Sequence, residues 1–310
     1  MKTSKTLIWL SALIAVLALI AAGVGLFWRD GGSPFTFTNL HGQTVQMYGQ
    51  GVYRYDSRLV GTGYRVQDAV TLLLGTPLLV FALLRYRRGS LKGGLLLAGM
   101  LTYFLYNYAS MALGAAYNNL FLVYVALFSA SLFGLVLALT AFDVQALPRH
   151  FSNRMPWRGI AVFLIVTGVV LFAVWLFMSI LPALIQGETP LDLGSYTTVI
   201  TWAMDLGVVG PALIVVGLLL HRRAPVGYLL TATLLVFSTV LGISLAAMGI
   251  AQFLAGLFGI GQFIGMVVSF AILALVALWF TVVLFRNLSD ATPWQAPQPA
   301  HVGEPAAQAV

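Results

Sequence analysis

Residues 201–223 read TWAMDLGVVGPALIVVGLLLHRR. From Thr201 to Leu220 the one charged side chain is Asp205, and the run stops at His221-Arg222-Arg223. A run of roughly twenty apolar residues matches the hydrocarbon thickness of a bilayer when it is helical. The stretch is read as a transmembrane helix closed by a basic turn. It also carries an acid and a proline, Pro211, neither of which lipid welcomes.

Runs of this kind recur along the whole chain. Hydrophobic residues make up 60% and charged residues 8% of the sequence, where a soluble domain has about a quarter of its residues charged. The expected fold is an all-α transmembrane helical bundle of about eight spans, near 6–28, 68–85, 93–114, 118–141, 158–182, 197–220, 225–250 and 260–285. Lys2 and Lys5 precede the first run, and Ala21-Ala22-Gly23 has the small residues of a cleavage site. The first span thus reads either as a signal peptide or, because its apolar run continues to Trp28, as an uncleaved anchor. Cleavage would leave seven spans with the same sidedness.

Charge sets the orientation. With the N-terminus inside, the inner segments hold Lys2, Lys5, Arg85, Arg87, Arg88, Lys92, Arg149, Arg154, Arg158, Arg222, Arg223 and Arg286. The outer segments hold Arg29, Arg54, Arg58 and Arg65, all in one loop. Both termini are expected inside. The lipid bilayer itself, with its anionic headgroups at the inner basic loops, is the expected partner. The formal charge of +7 is explained by these loops, with no nucleic acid partner. A protein partner stays open, and so does a small solute or ion.

The transmembrane bundle is expected over 1–286, with a β-segment at 29–67 inserted between spans 1 and 2. In that loop, Phe35–Thr38 and Thr44–Tyr48 have strand composition, with His41-Gly42 as the turn between them. Val52–Tyr55 is a possible third strand. A lone hairpin is marginal in water, so this small extracytoplasmic β-hairpin segment is expected to pack on helix ends. It serves as a passive lid, or as a gate or binding surface. The tail at 287–310, rich in Pro, Ala and Gln, is expected to be disordered and cytoplasmic.

Several chemistries are excluded. The chain has no Cys, which removes thiol–disulfide exchange, iron–sulfur clusters and thiolate metal sites. His41, His150, His221 and His301 all lie outside span centres, so no bis-histidine haem site forms in the membrane. No HExxH, P-loop or GxSxG pattern is present. The run Gly256-Leu-Phe-Gly259-Ile-Gly261 follows no strand and reads as a turn between spans. No cofactor and no metal site are expected. No span groups acids or histidines as a general acid–base pair needs, so an enzyme is the least favoured class.

Two stretches share a design. DAVTLLLGTPLLVFALLRYRRGSLKGG starts at Asp68 and DLGVVGPALIVVGLLLHRRAPVG starts at Asp205. Each opens on an acid, meets a proline (Pro77, Pro211), ends in Arg-Arg and restarts beside glycine. A 4+4 parallel repeat, spans 1–4 and 5–8, would produce this, as parallel-repeat transporters do. Basic turns demanded by topology produce it too.

Asp205 is the leading candidate for chemistry. It is expected roughly nine residues, or about 13 Å, into its span. Acids at such depth mostly face a bundle interior or a wet cavity. No Lys, Arg or His lies at that depth in any span. The group is therefore protonated, solvated or bound to a cation, or else it makes a plain interhelical hydrogen bond. Pro211 would free the carbonyl of Gly207 and add an oxygen beside it. In span 3, Tyr103, Tyr106, Asn107 and Ser110 fall on one helical face as possible partners. Tyr124 and Ser131 do the same in span 4, while Tyr117 suits the aromatic belt. Asp68 reads as an exposed helix-start acid. Gln252 and Gln262 read as interface residues.

The stretches MYGQGVYRYDS (47–57), YNNLFLVYVALFSASLF (117–133) and DLGVVGPALI (205–214) resemble those of an uncharacterised family of bacterial polytopic inner-membrane proteins with no known activity. The resemblance implies the bacterial cytoplasmic membrane and carries over no site residue. Two functions are expected. One is a transporter-like protein with a proton- or cation-binding acid at Asp205. The other is a non-catalytic structural, sensing or assembly protein acting through its outer β-segment.

Overall fold

The computed structural model describes residues 2–190 and 193–290. Eight helices are long and apolar enough to cross a membrane. They are α1 Lys5–Phe27, α2 Arg58–Arg87, α3 Leu91–Gly114, α4 Phe121–Thr140, α5 Trp157–Gln186, α6 Ile200–His221, α7 Pro225–Leu254 and α8 Ile260–Arg286. This is the architecture of a multi-pass membrane protein. Each expected span corresponds to one of these helices.

The largest departure is at α2, which starts at Arg58 rather than near 68. Ser57 caps it, its hydroxyl accepting from the Val60 N–H at 3.3 Å. The first turns hide from a hydropathy reading because Gly61, Gly63, Gln67 and Asp68 are small or polar. They are nonetheless buried, together with Tyr64. Arg65 thus belongs to the helix, not to a loop. Its guanidinium donates to the Tyr48 hydroxyl at 2.8 Å and to the Leu26 carbonyl at 3.0 Å.

The hairpin forms as expected: β1 (Phe35–Thr38) pairs antiparallel with β2 (Thr44–Met47), Phe35 opposite Met47 and Thr38 opposite Thr44. The Asn39 side-chain oxygen accepts from the N–H groups of His41 and Gln43, each at 2.9 Å, and Gly42 takes φ +77°. The third strand does not form. Gly51–Tyr53 is a single 3-10 turn, flanked by positive φ at Gly49 and Gly51. That turn sends Tyr53 inward, where it is 1% exposed.

Helix α3 is the hub. It packs against α2, α4 and α7, while α5 pairs with α6 and α7 pairs with α8. It is also the least apolar of the eight and the most enclosed, with 78% of its most apolar stretch buried. A helix shielded from lipid by its neighbours can carry polar side chains, and α3 does. Close contacts use glycine. A Cβ at Gly168 of α5 would stand 2.8 Å from the Gly210 carbonyl oxygen of α6.

The two ends of the bundle are knitted separately. At the basic end, Ser4 N–H donates to the Tyr86 hydroxyl at 2.8 Å and Ser152 N–H to the Asn287 carbonyl at 2.9 Å. Residues 287–290 are docked there rather than disordered. Leu288 is 3% exposed. Asp290 accepts from the Lys92 N–H and the Ser90 hydroxyl, each at 2.9 Å, and pairs with Arg85 at 3.4 Å. It thereby caps the start of α3. The rest of the expected disordered tail, 291–310, lies outside the described residues.

At the hairpin end, the Tyr53 hydroxyl donates to the Asp68 carboxylate at 2.7 Å. Asp68 is 2% exposed, so it is not the exposed helix-start acid its position suggested, because α2 begins ten residues earlier. Gly25 of α1 makes room for it. A Cβ there would fall 2.1 Å from Asp68 Oδ2. Gly25→Ala is expected to destabilise the protein by about 1–3 kcal/mol through overpacking, read as a lowered thermal unfolding midpoint in detergent. Gly23→Ala, where a Cβ meets nothing within 4 Å, is the control and should leave it unchanged.

Candidate functional site

Proline shapes the site. A helical Pro lacks an N–H and its ring crowds the carbonyl four residues back. In α6 the ladder absorbs Pro211 by widening into a π segment at Asp205–Val209. Within it the Gly210 N–H reaches back five residues to the carbonyl of Asp205. The expected spot built on a freed Gly207 carbonyl is thus replaced by a widened turn that starts at the acid itself. The same device recurs in α2 at Thr71–Gly75 before Pro77, and in α5 at Leu176–Ile180 before Pro182. Such π turns are frequent at functional sites.

Asp205 is 6% exposed and is held by two neutral donors. The Tyr106 hydroxyl of α3 donates to Oδ1 at 2.9 Å, and the Trp175 indole N–H of α5 donates to Oδ2 at 2.9 Å. Trp175 is the residue immediately before the α5 π segment. Among the described residues no basic side chain joins them. The ion pairs found among the described residues, Arg54–Asp30 and Arg85–Asp290, involve other acids. When ionised, Asp205 carries a negative charge that its two neutral donors solvate but do not cancel.

The acid opens on a cavity of about 300 Å³ between α2, α3, α5, α6, α7 and α8. The walls are mainly aliphatic and aromatic, with Phe163, Val209, Leu213, Phe237, Leu241 and Phe270 among them. Polar groups interrupt them, among them Gln67, Ser110, Thr167, Thr198, Ser244 and Gln252. Asp205 is the one acid in this lining, which holds no Lys, Arg or His among the described residues. Because α6 starts at Ile200, Asp205 is its sixth residue, about 8 Å from the helix end. That is shallower than its expected depth.

The expected partners divide into two groups. Tyr106 and Ser110 line the cavity with Asp205, and the Ser110 hydroxyl donates to the Tyr106 carbonyl at 3.0 Å. Tyr103 and Asn107 do not reach the acid. The Tyr103 ring lies over Gly75 in the α2 π segment and edge-on to Phe104. Asn107 accepts from the Gln67 amide and donates to Thr71 Oγ1 at 3.4 Å. Tyr124 stacks on Tyr108 with centroids 6.2 Å apart. Gln67, Asn107 and Thr71 thus form a second polar cluster between α2 and α3, and Tyr53 with Asp68 is a further polar pair at α2. One helical face of α3 serves both clusters because the helix is surrounded.

Two functional groups escaped the sequence reading. Trp175 passed as one more apolar residue of span 5. Its signal was the indole N–H, which requires a partner when it lies inside a bundle. The other is Asp56, one residue before the Ser57 cap. Its Oδ1 accepts from the Ala116 N–H at 2.8 Å and from the Tyr196 hydroxyl at 2.7 Å. It joins the hairpin segment, the α3–α4 turn and the α5–α6 connection over the cavity, which Tyr196 lines. Asn39 strengthens this cover by donating to the Gly194 carbonyl at 2.8 Å.

Comparison with known proteins finds no matching family model, no matching curated protein and no matching solved structure.

Burial pushes the Asp56 carboxyl up to about 6, against the opposing hydrogen bonds from Ala116 and Tyr196. The folded state then binds more protons than the unfolded chain between the ordinary value of 3.8 and about 6. Stability contributed here is greatest at low pH and is lost as pH rises through that window. Relative to Asp56→Asn, the wild type is expected to gain about 2 kcal/mol of unfolding stability between pH 7 and pH 4. Unfolding curves of the two proteins at matched pH values measure the difference. Parallel pH profiles would remove Asp56 as the titrating group.

Proposed function

We propose that this chain is a transporter-like protein of the bacterial cytoplasmic membrane that binds a small solute in the Asp205 cavity. In this reading the hairpin faces outward, the basic end faces the cytoplasm, and Asp205 is the proton- or cation-binding group. One observation carries the proposal: a buried carboxylate with no basic partner opens on a cavity of about 300 Å³ between six helices. A purely structural acid needs no such space. Intramembrane acids that face cavities mark ion and proton pathways, and a widened helical turn at the acid gives that wall a site for local rearrangement.

The cavity lies beneath the cover formed by Asp56, Tyr196 and Asn39, which suits a gate on the outer side. In liposomes carrying a pH or sodium gradient, the wild type is expected to accumulate solute, and Asp205→Asn is expected to lose gradient dependence. Gradient-driven accumulation retained by a folded Asp205→Asn protein would sink the assignment. Sidedness has its own test because the chain has no Cys. Thr198→Cys lines the cavity near its cover and is expected to react with a membrane-impermeant maleimide added outside cells. Reaction solely from the cytoplasmic face would invert the proposed orientation.

The hairpin supports a second reading. Phe35, Phe37 and Leu40 are 40%, 44% and 89% exposed, an apolar edge that suits a protein partner in sensing or assembly. A hairpin with serine at these three positions is expected to lose a crosslinked partner while keeping the bundle. An unchanged crosslinking pattern counts against this role.

A further inference from the structure

The chemistry of the cavity is specific enough to name a class of ligand. We infer that the Asp205 cavity binds a lipophilic organic cation, a compact aromatic or branched ammonium carrying a single positive charge. This inference rests on the reading of the cavity as a solute site and adds what the solute is.

Charge selects the class first. An anion meets the carboxylate with no basic group to offset it. A neutral apolar ligand makes no use of the acid's charge, and such acids are costly inside a membrane. A cation satisfies it. The number of oxygen ligands then separates inorganic from organic cations. Hard metal ions take six or so oxygen ligands at short range. Here the two groups nearest the acid, Tyr106 and Trp175, both aim hydrogens at it, and the indole nitrogen cannot act as a ligand. No cluster of three His, Cys, Asp or Glu residues able to hold a metal occurs among the described residues. An ammonium bearing alkyl groups has no such demand. It needs one counter-charge, apolar walls and aromatic rings.

The cavity supplies all three. Trp175 and Tyr106, the two rings that hold the carboxylate, also line the space, with Phe237 beside Tyr106 at a centroid distance of 5.6 Å. Aromatic faces attract cations through the ring quadrupole, and tryptophan does so best. Leu213, Leu241 and Leu245 provide apolar wall for the remainder of the ligand. A volume of about 300 Å³ falls at the small end of small-molecule pockets, which limits the ligand to roughly one ring plus its charged head. A proton and such a cation compete for the same carboxylate. Apart from the phenols Tyr64, Tyr106 and Tyr196, no other titratable group lines the cavity among the described residues.

The test measures equilibrium binding of radiolabelled benzyltrimethylammonium to the purified full-length protein in detergent. Its neutral carbon isostere, neopentylbenzene, and benzenesulfonate serve as competitors. The wild type is expected to bind the cation, and neopentylbenzene and benzenesulfonate to compete weakly. Asp205→Asn is expected to weaken cation binding by about tenfold or more. Trp175→Phe, which keeps a ring, is expected to weaken it about threefold, and it supplies the answer if the Asp205 variant does not fold. Equal affinity for the cation and its neutral isostere overturns the inference. So does unchanged cation binding in the folded variants. Asp205-dependent transport of some other solute without cation binding overturns this inference and leaves the proposed function standing. Asp205-dependent cation binding with no transport in liposomes supports the ligand class and overturns the transporter reading.

Discussion

A carboxyl group buried in a folded chain must be met by hydrogen-bond donors. This chain uses the same donor three times. Asp56, Asp68 and Asp205 each accept from a tyrosine hydroxyl, at 2.7, 2.7 and 2.9 Å. The phenol suits the task because its ring packs like any apolar side chain while its hydroxyl reaches the acid. Each bond also joins chain segments that are separate in sequence. Tyr196 brings the α5–α6 connection to the hairpin segment, Tyr53 folds the hairpin segment onto α2, and Tyr106 ties α3 to α6. The acids are therefore fastening points of the bundle as well as candidate chemistry. What distinguishes Asp205 is the cavity. It opens on one, and neither Asp56 nor Asp68 is part of that lining.

The prolines explain how a helix can present such an acid. Pro77, Pro182 and Pro211 each follow a π segment by two residues, so the chain has one solution to three breaks in its hydrogen-bond ladder. In α6 the widened turn begins at Asp205, and in α5 it begins directly after Trp175. The two residues that meet across the α5–α6 pair thus both flank irregular backbone. The device does not by itself single out the pair of stretches beginning at Asp68 and Asp205. It occurs also in α5, whose counterpart in a 4+4 arrangement would be α1, a helix with no proline. The likeness of the two acids lies in their tyrosine partners, and their surroundings differ: Asp205 opens on the cavity and Asp68 lies outside its lining.

Much of this was legible in the residues. Hydropathy located the eight helices because each must match the thickness of one apolar slab, a requirement local in sequence. Strand composition and the His41-Gly42 turn signal located β1 and β2 because a hairpin turn is settled within its own loop, where Asn39 also acts. Periodicity placed Tyr106 and Ser110 on one face of α3, and both line the cavity. It equally placed Tyr103 and Asn107 there, and they turn to α2. A helical face seen in sequence has a direction but no neighbour, and α3 has neighbours on every side. Trp175 illustrates the same limit, since nothing within α5 says that its indole meets an acid 30 residues away. Asp68 fails for a different reason. Polar and small residues at the start of α2 lower its hydropathy, although contact with α1 and α7 buries that segment.

What the sequence determined alone is what depends on the solvent and on short range. Apolar length sets the number of helices, and turn residues set the hairpin. The absence of Cys excludes thiol and iron–sulfur chemistry. The residues alone placed no basic side chain at the depth of Asp205, yet Arg65 lies in α2 at a similar depth, and packing directs it to Tyr48 and Leu26 instead. What only the tertiary structure decided is which groups answer that acid. A hydrogen bond needs two atoms about 3 Å apart, and for Asp205 those atoms come from α3 and α5, brought together by helix packing over long chain separations. The cavity is likewise a property of six helices at once, and no single stretch encodes it.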